Sequence, residues 1–290
     1  MPPLRNTIGV TAVLEARKKM KTRIIVSVIL VPLLLIVLLV APKVMTAALL
    51  GVMCAIAAYE LLWGTGLVRH VRLLAYTVVI AFFVPFWVHN GMEHLWALLG
   101  VFIYFCLLFG EVLMAHAKLR FDRIAICMTG GMLLPYLLCS LLRILDSGSN
   151  GRMLVLIPFV IAFLSDSGAY FVGKAWGKHK LAPVVSPNKS VEGMLGGMLT
   201  AVLGMLLYCL IVGMMTDAQV NYLYAITYGL LGSVAGVFGD LCFSAVKRQT
   251  GIKDYGNLIP GHGGILDRFD SMMVVAPLVE ILLALLPVVG

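Results

Sequence analysis

A small set of aspartates beside a larger set of cations is where this chain could do chemistry. One group lies in residues 239–271, GDLCFSAVKRQTGIKDYGNLIPGHGGILDRFDS. Asp240, Ser244 and Lys247 fall at i, i+4 and i+7, which is one stripe of a helix. Asp240 stands within an apolar stretch, where an unpaired carboxylate is costly. It calls for a cation: Lys247, Arg248, Arg268 or a metal ion. Asp267 and Asp270 are three apart, where the last apolar stretch begins. A helix dipole favours carboxylates at such a place, so the same grouping also reads as a plain helix-start device. Oxygen donors beside basic residues suit Mg²⁺ and phosphates. Asp240, Asp267 and Asp270 carry such oxygens, as do Asp254 and, in the second group, Asp166. Lys247, Arg248, Lys253 and Arg268 would clamp phosphates. Gly263 and Gly264 would let backbone N–H groups approach them. Zinc is a poor match, because His262 and Cys242 have no further His or Cys at ligand spacing. His262 reads either as a phosphate-contacting or acid–base group or as a structural loop histidine.

The second group is SDSGAYFVGKAWGKHKLAPVVSPNKSVEG, residues 165–193. Asp166, Tyr170 and Lys174 are spaced by four and share a helix face. Lys174, Lys178, His179, Lys180 and Lys189 add fixed and titratable charge, with Lys189 the leading phosphate-binding candidate. Ser186-Pro187 has the form of a helix cap followed by proline at the first helical position, a start that would aim N–H groups at an anion. Ser186, Ser190, Tyr170, Lys174 and Ser244 complete the candidate substrate-binding set.

These residues sit in an unusually apolar chain. Of 290 residues, 61% are hydrophobic and 12% charged, against roughly 45–50% and 25% in soluble domains. About nine stretches are long enough to cross a hydrocarbon core of roughly 30 Å: 24–42, 44–64, 72–89, 95–115, 124–142, 153–173, 194–215, 221–245 and 271–289. The expected fold is therefore an all-α polytopic integral membrane protein. It reads as one membrane domain: a basic arm (1–23), N-terminal helices (24–160) and a chemistry-bearing half (161–290). With the N-terminus cytoplasmic, all but Lys43, Arg143 and Arg152 of the 22 Lys and Arg fall on the cytoplasmic side, as the positive-inside rule asks. The net charge of +8 thus reflects topology and anionic ligands, not nucleic acid. A plasma (inner) membrane is the expected location. The six cysteines lack CxxC pairing and read as buried free thiols. Glu60 and Glu111 lie near span ends and are either functional or simply hydrogen-bonded there.

There is no GxxxxGK[ST] phosphate loop. Instead, the run Ser244-x-x-Lys247-Arg248-x4-Lys253-Asp254-x-Gly256-x-x-Ile259-Pro260-x-His262-Gly263-Gly264-x-x-Asp267-Arg268-x-Asp270 resembles the signature of the phosphatidate cytidylyltransferases, or CDP-diacylglycerol synthases. The stretch from Asp166 to Gly193 is similar to that family too, with Lys174 where arginine is common. The resemblance is strong over roughly residues 160–271. It implies condensation of CTP with phosphatidate to CDP-diacylglycerol and pyrophosphate at the cytoplasmic face of the bilayer. It also implies a divalent metal on Asp240 and Asp267, and a homodimer. Two other classes remain: another CTP-dependent membrane lipid enzyme, such as a polyprenol kinase or an archaeal ether-lipid cytidylyltransferase, and an ion or organic-anion transporter. Transport would need midplane sites and repeat symmetry, and the polar residues instead gather at one side.

Overall fold

The computed structural model describes residues 32–90, 95–115, 119–148, 150–216, 219–258 and 263–289. Among the described residues, seven helices are long and apolar enough to span a membrane. They are α1 (Lys43–Gly64), α2 (Val71–His89), α3 (Leu95–Met114), α4 (Phe121–Leu145), α5 (Gly151–Trp176), α6 (Val191–Thr216) and α7 (Tyr222–Gln249). In lipid every backbone N–H and C=O must be satisfied within the protein, and a helix does this within one segment. Seven of the nine expected stretches therefore appear as spanning helices. The first expected stretch is described only from residue 32, with 32–39 helical. The ninth holds a short helical turn, α8 (Leu266–Phe269), and then α9 (Met272–Leu285). At 14 residues, α9 is about 21 Å long, short of a full hydrocarbon core.

The helices begin and end where local chemistry dictates. Asn221 caps α7 by accepting hydrogen bonds from the Leu223 and Tyr224 amides at 3.1 and 3.2 Å. The α5 helix stops at Gly177, which turns to extended geometry. The last turn of α1 widens into a π turn over Glu60–Gly64.

Two short strands interrupt the helical pattern between α5 and α6. β1 (Lys180–Ala182) pairs antiparallel with β2 (Ser186–Ser190), with Lys180 opposite Ser190. This corrects the reading of Ser186-Pro187 as a helix start. Those residues open β2, and α6 begins only at Val191. The cap is Ser190, whose hydroxyl accepts from the Gly193 amide at 3.1 Å. The strand wins because residues 186–190 find their partner in the returning Lys180–Ala182 segment.

The most extensive helix contact joins α5 and α6. Without a hydrophobic drive between helices in lipid, small residues let backbones approach and dispersion holds them. At Gly168 a Cβ would collide with the Thr200 side chain. Thr200 in turn donates to the Leu164 carbonyl across the same interface at 2.8 Å. Cys54, Cys127, Cys139 and Cys209 are buried, whereas Cys106 and Cys242 are exposed on the helix surface, so the expectation of buried thiols holds for four of six.

The two ends of the bundle differ in character. At one end Arg248 Nε donates to the Val185 carbonyl at 3.1 Å, tying the hairpin to the end of α7. Glu60 meets the residues before α8, and Arg72 pairs with Glu111 at 3.2 Å. At the other end Lys43 pairs with Asp146, and Arg152 donates to the carbonyls of Leu39 and Ala41. Arg143 grips Glu280 through two bonds of 2.6 and 2.9 Å. The three basic residues set apart by charge counting thus stand together, away from the lysine-rich loops.

Candidate active site

The two motif-bearing segments, 165–193 and 239–271, converge where α5, the β1–β2 hairpin, α7 and α8 meet. Two aspartates define the site, and each already holds an ammonium group. Asp240, half-buried on α7, pairs with Lys189 from β2. Its other oxygen accepts from Ser244 Oγ, one turn further along α7, at 3.1 Å. The Asp240–Ser244 stripe therefore forms as its spacing requires. The cation differs from those considered: Lys189 on the hairpin reaches Asp240, and Lys247 turns elsewhere.

Lys247 turns to Asp267. Its Nζ lies 2.8 Å from Asp267 Oδ1, with the side chains only 11% and 2% exposed. The other oxygen, Oδ2, accepts from the backbone amides of Tyr255 at 2.8 Å and Gly264 at 3.0 Å. Asp267 thus closes the turn that leads into α8 and also neutralises a buried lysine. Lys247 additionally faces the Tyr255 ring, 5.4 Å from its centroid, and the Tyr255 hydroxyl donates to the Phe243 carbonyl. Tyr255 is therefore a wall of the site that the sequence did not single out.

Asp270 is buried beside this pair. Loss of water, and then repulsion from Asp240, push its carboxyl up to about 7. Asp166 is a further, smaller contributor to that repulsion, which places Asp166, Asp240 and Asp270 in one electrostatic neighbourhood. On the α5 side, Lys174 sits over the Tyr170 ring at 5.7 Å. Ser186 is half-buried in β2, and Ser190 is buried as the α6 cap. Arg248 and Arg268 are exposed, as are Lys253 and Asp254. His262 lies outside the described residues.

The two glycines read as room for a phosphate have other neighbours here. Gly263 takes φ +87°, a left-handed conformation that side chains disfavour. Gly264 has given its amide to Asp267, and a Cβ there would overlap both carboxylate oxygens of Glu60. Glu60 itself is buried and accepts from the amides of Ile265 at 3.1 Å and Leu266 at 2.8 Å. A second acid to which the sequence reading gave no specific role is Glu192. It gathers the Lys178 and His179 amides at 3.1 and 3.2 Å and the His179 ring, closing the hairpin against the start of α6. Its place in the first turn after Ser190 was the available signal. For Glu60 there was none beyond a carboxylate in an apolar stretch, because its partners lie some 205 residues away. Glu111 pairs with Arg72 and accepts from Tyr76 at 3.3 Å, outside this site.

A model of the cytidylyltransferase family matches residues 21–286. The chain belongs to the cytidylyltransferase family. Similar proteins include a phosphatidate cytidylyltransferase of Staphylococcus epidermidis, 46% identical over 138 residues, which are 48% of this chain and 52% of that protein. One from Staphylococcus saprophyticus is 37% identical over 177 residues, covering 61% and 65%. One from Staphylococcus aureus is 46% identical over 138 residues, covering 48% and 52%. The matched stretch thus spans between half and two thirds of the length of these curated relatives. With its spanning helices, the chain is a multi-pass membrane protein of that family.

Proposed function

We propose that this protein transfers the cytidylyl group of CTP to phosphatidate, releasing pyrophosphate and leaving CDP-diacylglycerol in the bilayer. The observation that carries the reading is the double aspartate–lysine arrangement, Lys189–Asp240–Ser244 beside Lys247–Asp267, at one end of a bundle of membrane-length helices. Both substrates are anions, and one of them is a lipid. A site at the end of the helices admits the nucleotide from water while acyl chains stay in the bilayer. The family and its named relatives point the same way.

In this reaction a phosphate oxygen of phosphatidate forms a bond to the α-phosphorus of CTP. The bond from that phosphorus to the β-bridging oxygen breaks, and its electron pair leaves on pyrophosphate. Phosphatidate is largely ionised near neutral pH, so no strong general base is needed. What is needed is cationic charge held in place before the reaction starts. Lys189 and Lys247, each held by an aspartate, supply it, with Arg248, Lys253 and Arg268 as exposed clamps. Asp240 and Asp267 are hard oxygen donors whose partners here are lysine ammonium groups, so a divalent ion held by them would take the place of those contacts. Among the described residues no three His, Cys, Asp or Glu side chains converge as a metal site. Mg²⁺ fits that sparse set, because it usually takes one or two carboxylates and fills its shell with water and phosphate oxygens. When bound it would supply charge neutralisation across the phosphates; Asp240 and Asp267 would hold it, with Asp166 a weaker candidate ligand and Asp254 or Asp270 serving a second cation. The proposal includes a cytoplasmic site and N-terminus, an inner-membrane location and a homodimer, with charge asymmetry supporting the first.

The test is incubation of detergent-purified protein with CTP, phosphatidate and Mg²⁺. Pyrophosphate and CDP-diacylglycerol should form together. Transfer of the γ-phosphate with release of CDP would instead identify a kinase. Anion flux into liposomes without either product would identify a transporter.

A further inference from the structure

We propose that Glu60, at the end of α1, is a positioning residue that sets the geometry of the Lys247–Asp267 pair. The proposal rests on the cytidylyltransfer reading above. Glu60 is 3% exposed and opens the π turn of α1. Such wide turns are uncommon, and they gather at functional sites because they shift side chains off the ordinary helical register. One oxygen of Glu60 accepts from the Ile265 amide at 3.1 Å and the other from Leu266 at 2.8 Å. The next residue, Asp267, holds Lys247 on one oxygen and the Gly264 and Tyr255 amides on the other. Glu60 and Asp267 thus share one short stretch of backbone, 264–267, and grip it from two sides.

Steric fit points to the same function. A Cβ at Gly256 or at Gly264 would overlap the Glu60 carboxyl. Gly256 and Gly264 therefore both pack against this one side chain, and Gly64 at the end of the π turn leaves room for the Tyr255 carbonyl. An acid in the N-terminal half of the chain thereby fixes where the C-terminal aspartate presents its lysine. Glu60 does not touch the proposed substrates; it acts through Asp267.

The test compares Glu60→Ala, Glu60→Gln and the double variant Glu60→Ala/Gly264→Ala with the unaltered protein. Two measurements are made: CTP dependence of pyrophosphate release, and the rate of tryptic cleavage after exposed Lys253 in detergent. Loss of two carboxylate–amide bonds should raise the half-saturating CTP concentration about tenfold in Glu60→Ala. Glu60→Gln keeps an acceptor and should fall between. The double variant refills the space without restoring the acceptor, so it should be no better than Glu60→Ala. Cleavage after Lys253 should speed up whenever the carboxylate is lost. The proposal fails if Glu60→Ala lowers only the maximal rate at unchanged half-saturation, which is what a smaller folded fraction does. It also fails if the double variant recovers full activity, or if cleavage after Lys253 is unchanged. Should the unaltered protein release no pyrophosphate, the functional reading falls, and the cleavage rates still decide whether Glu60 holds the loop.

Discussion

Replacing Lys247 by methionine isolates the most consequential electrostatic feature of the site. The methionine keeps most of the length and apolar stem and removes the charge. Asp267 would then remain 2% exposed, with its two backbone donors and no cation. Breaking a buried pair from one side typically costs about 3–5 kcal/mol, because the remaining charge is uncompensated. For a chain of this size each kcal/mol is worth about 2 °C in melting midpoint, so a drop of about 6–10 °C is expected. Lys189→Met is the internal control. Its pair with Asp240 is half-buried, with side chains 24% and 30% exposed, so water reaches the carboxylate left behind and a smaller drop than for Lys247→Met is expected. The decisive variant is Lys247→Met/Asp267→Asn. An asparagine oxygen in the place of Oδ2 still accepts from Tyr255 and Gly264 and leaves no buried charge, so most of the loss should be recovered. Thermal unfolding of each purified protein in one detergent measures all three. The reasoning is refuted if Lys247→Met melts within about 2 °C of the unaltered protein, or if adding Asp267→Asn makes matters worse.

Other outcomes follow from the same geometry. Asp240→Asn and Asp267→Asn should each abolish most pyrophosphate release at saturating Mg²⁺; near-normal turnover in either removes that residue from the metal assignment. Lys189→Ala should impair turnover strongly, whereas Lys43→Ala, paired with Asp146 at the opposite end of the bundle, should leave it intact; equal damage would contradict the placement of the two ends. Gly168→Ala should destabilise the α5–α6 contact by about 1–3 kcal/mol through overpacking against Thr200. Pairing it with Thr200→Ala, which removes both the hydroxyl that the new Cβ would meet first and the methyl, should restore part of the loss in thermal unfolding.

The chain itself determined a good deal about this protein. A run of apolar residues long enough to cross a bilayer can satisfy its backbone only as a helix, so seven of the expected spans were legible from composition and length. The sorting of basic residues followed from their positions between those spans, and in space Lys43, Arg143 and Arg152 do stand apart from the lysine-rich loops. Asp240 and Ser244 were legible as neighbours because four residues make one helical turn. Pairings between distant segments were not. Whether Lys189 or Lys247 reaches Asp240 depends on the depth at which the hairpin meets α7, and helical spacing says nothing about that. The strand at Ser186–Ser190 depended on a partner returning from Lys180, which overrode a local sequence suited to capping. Glu60 shows the limit most clearly. Its partners, the amides of Ile265 and Leu266, carry no side-chain signal, and only the packing of α1 against Gly256 and the 264–266 backbone brings a carboxylate to them.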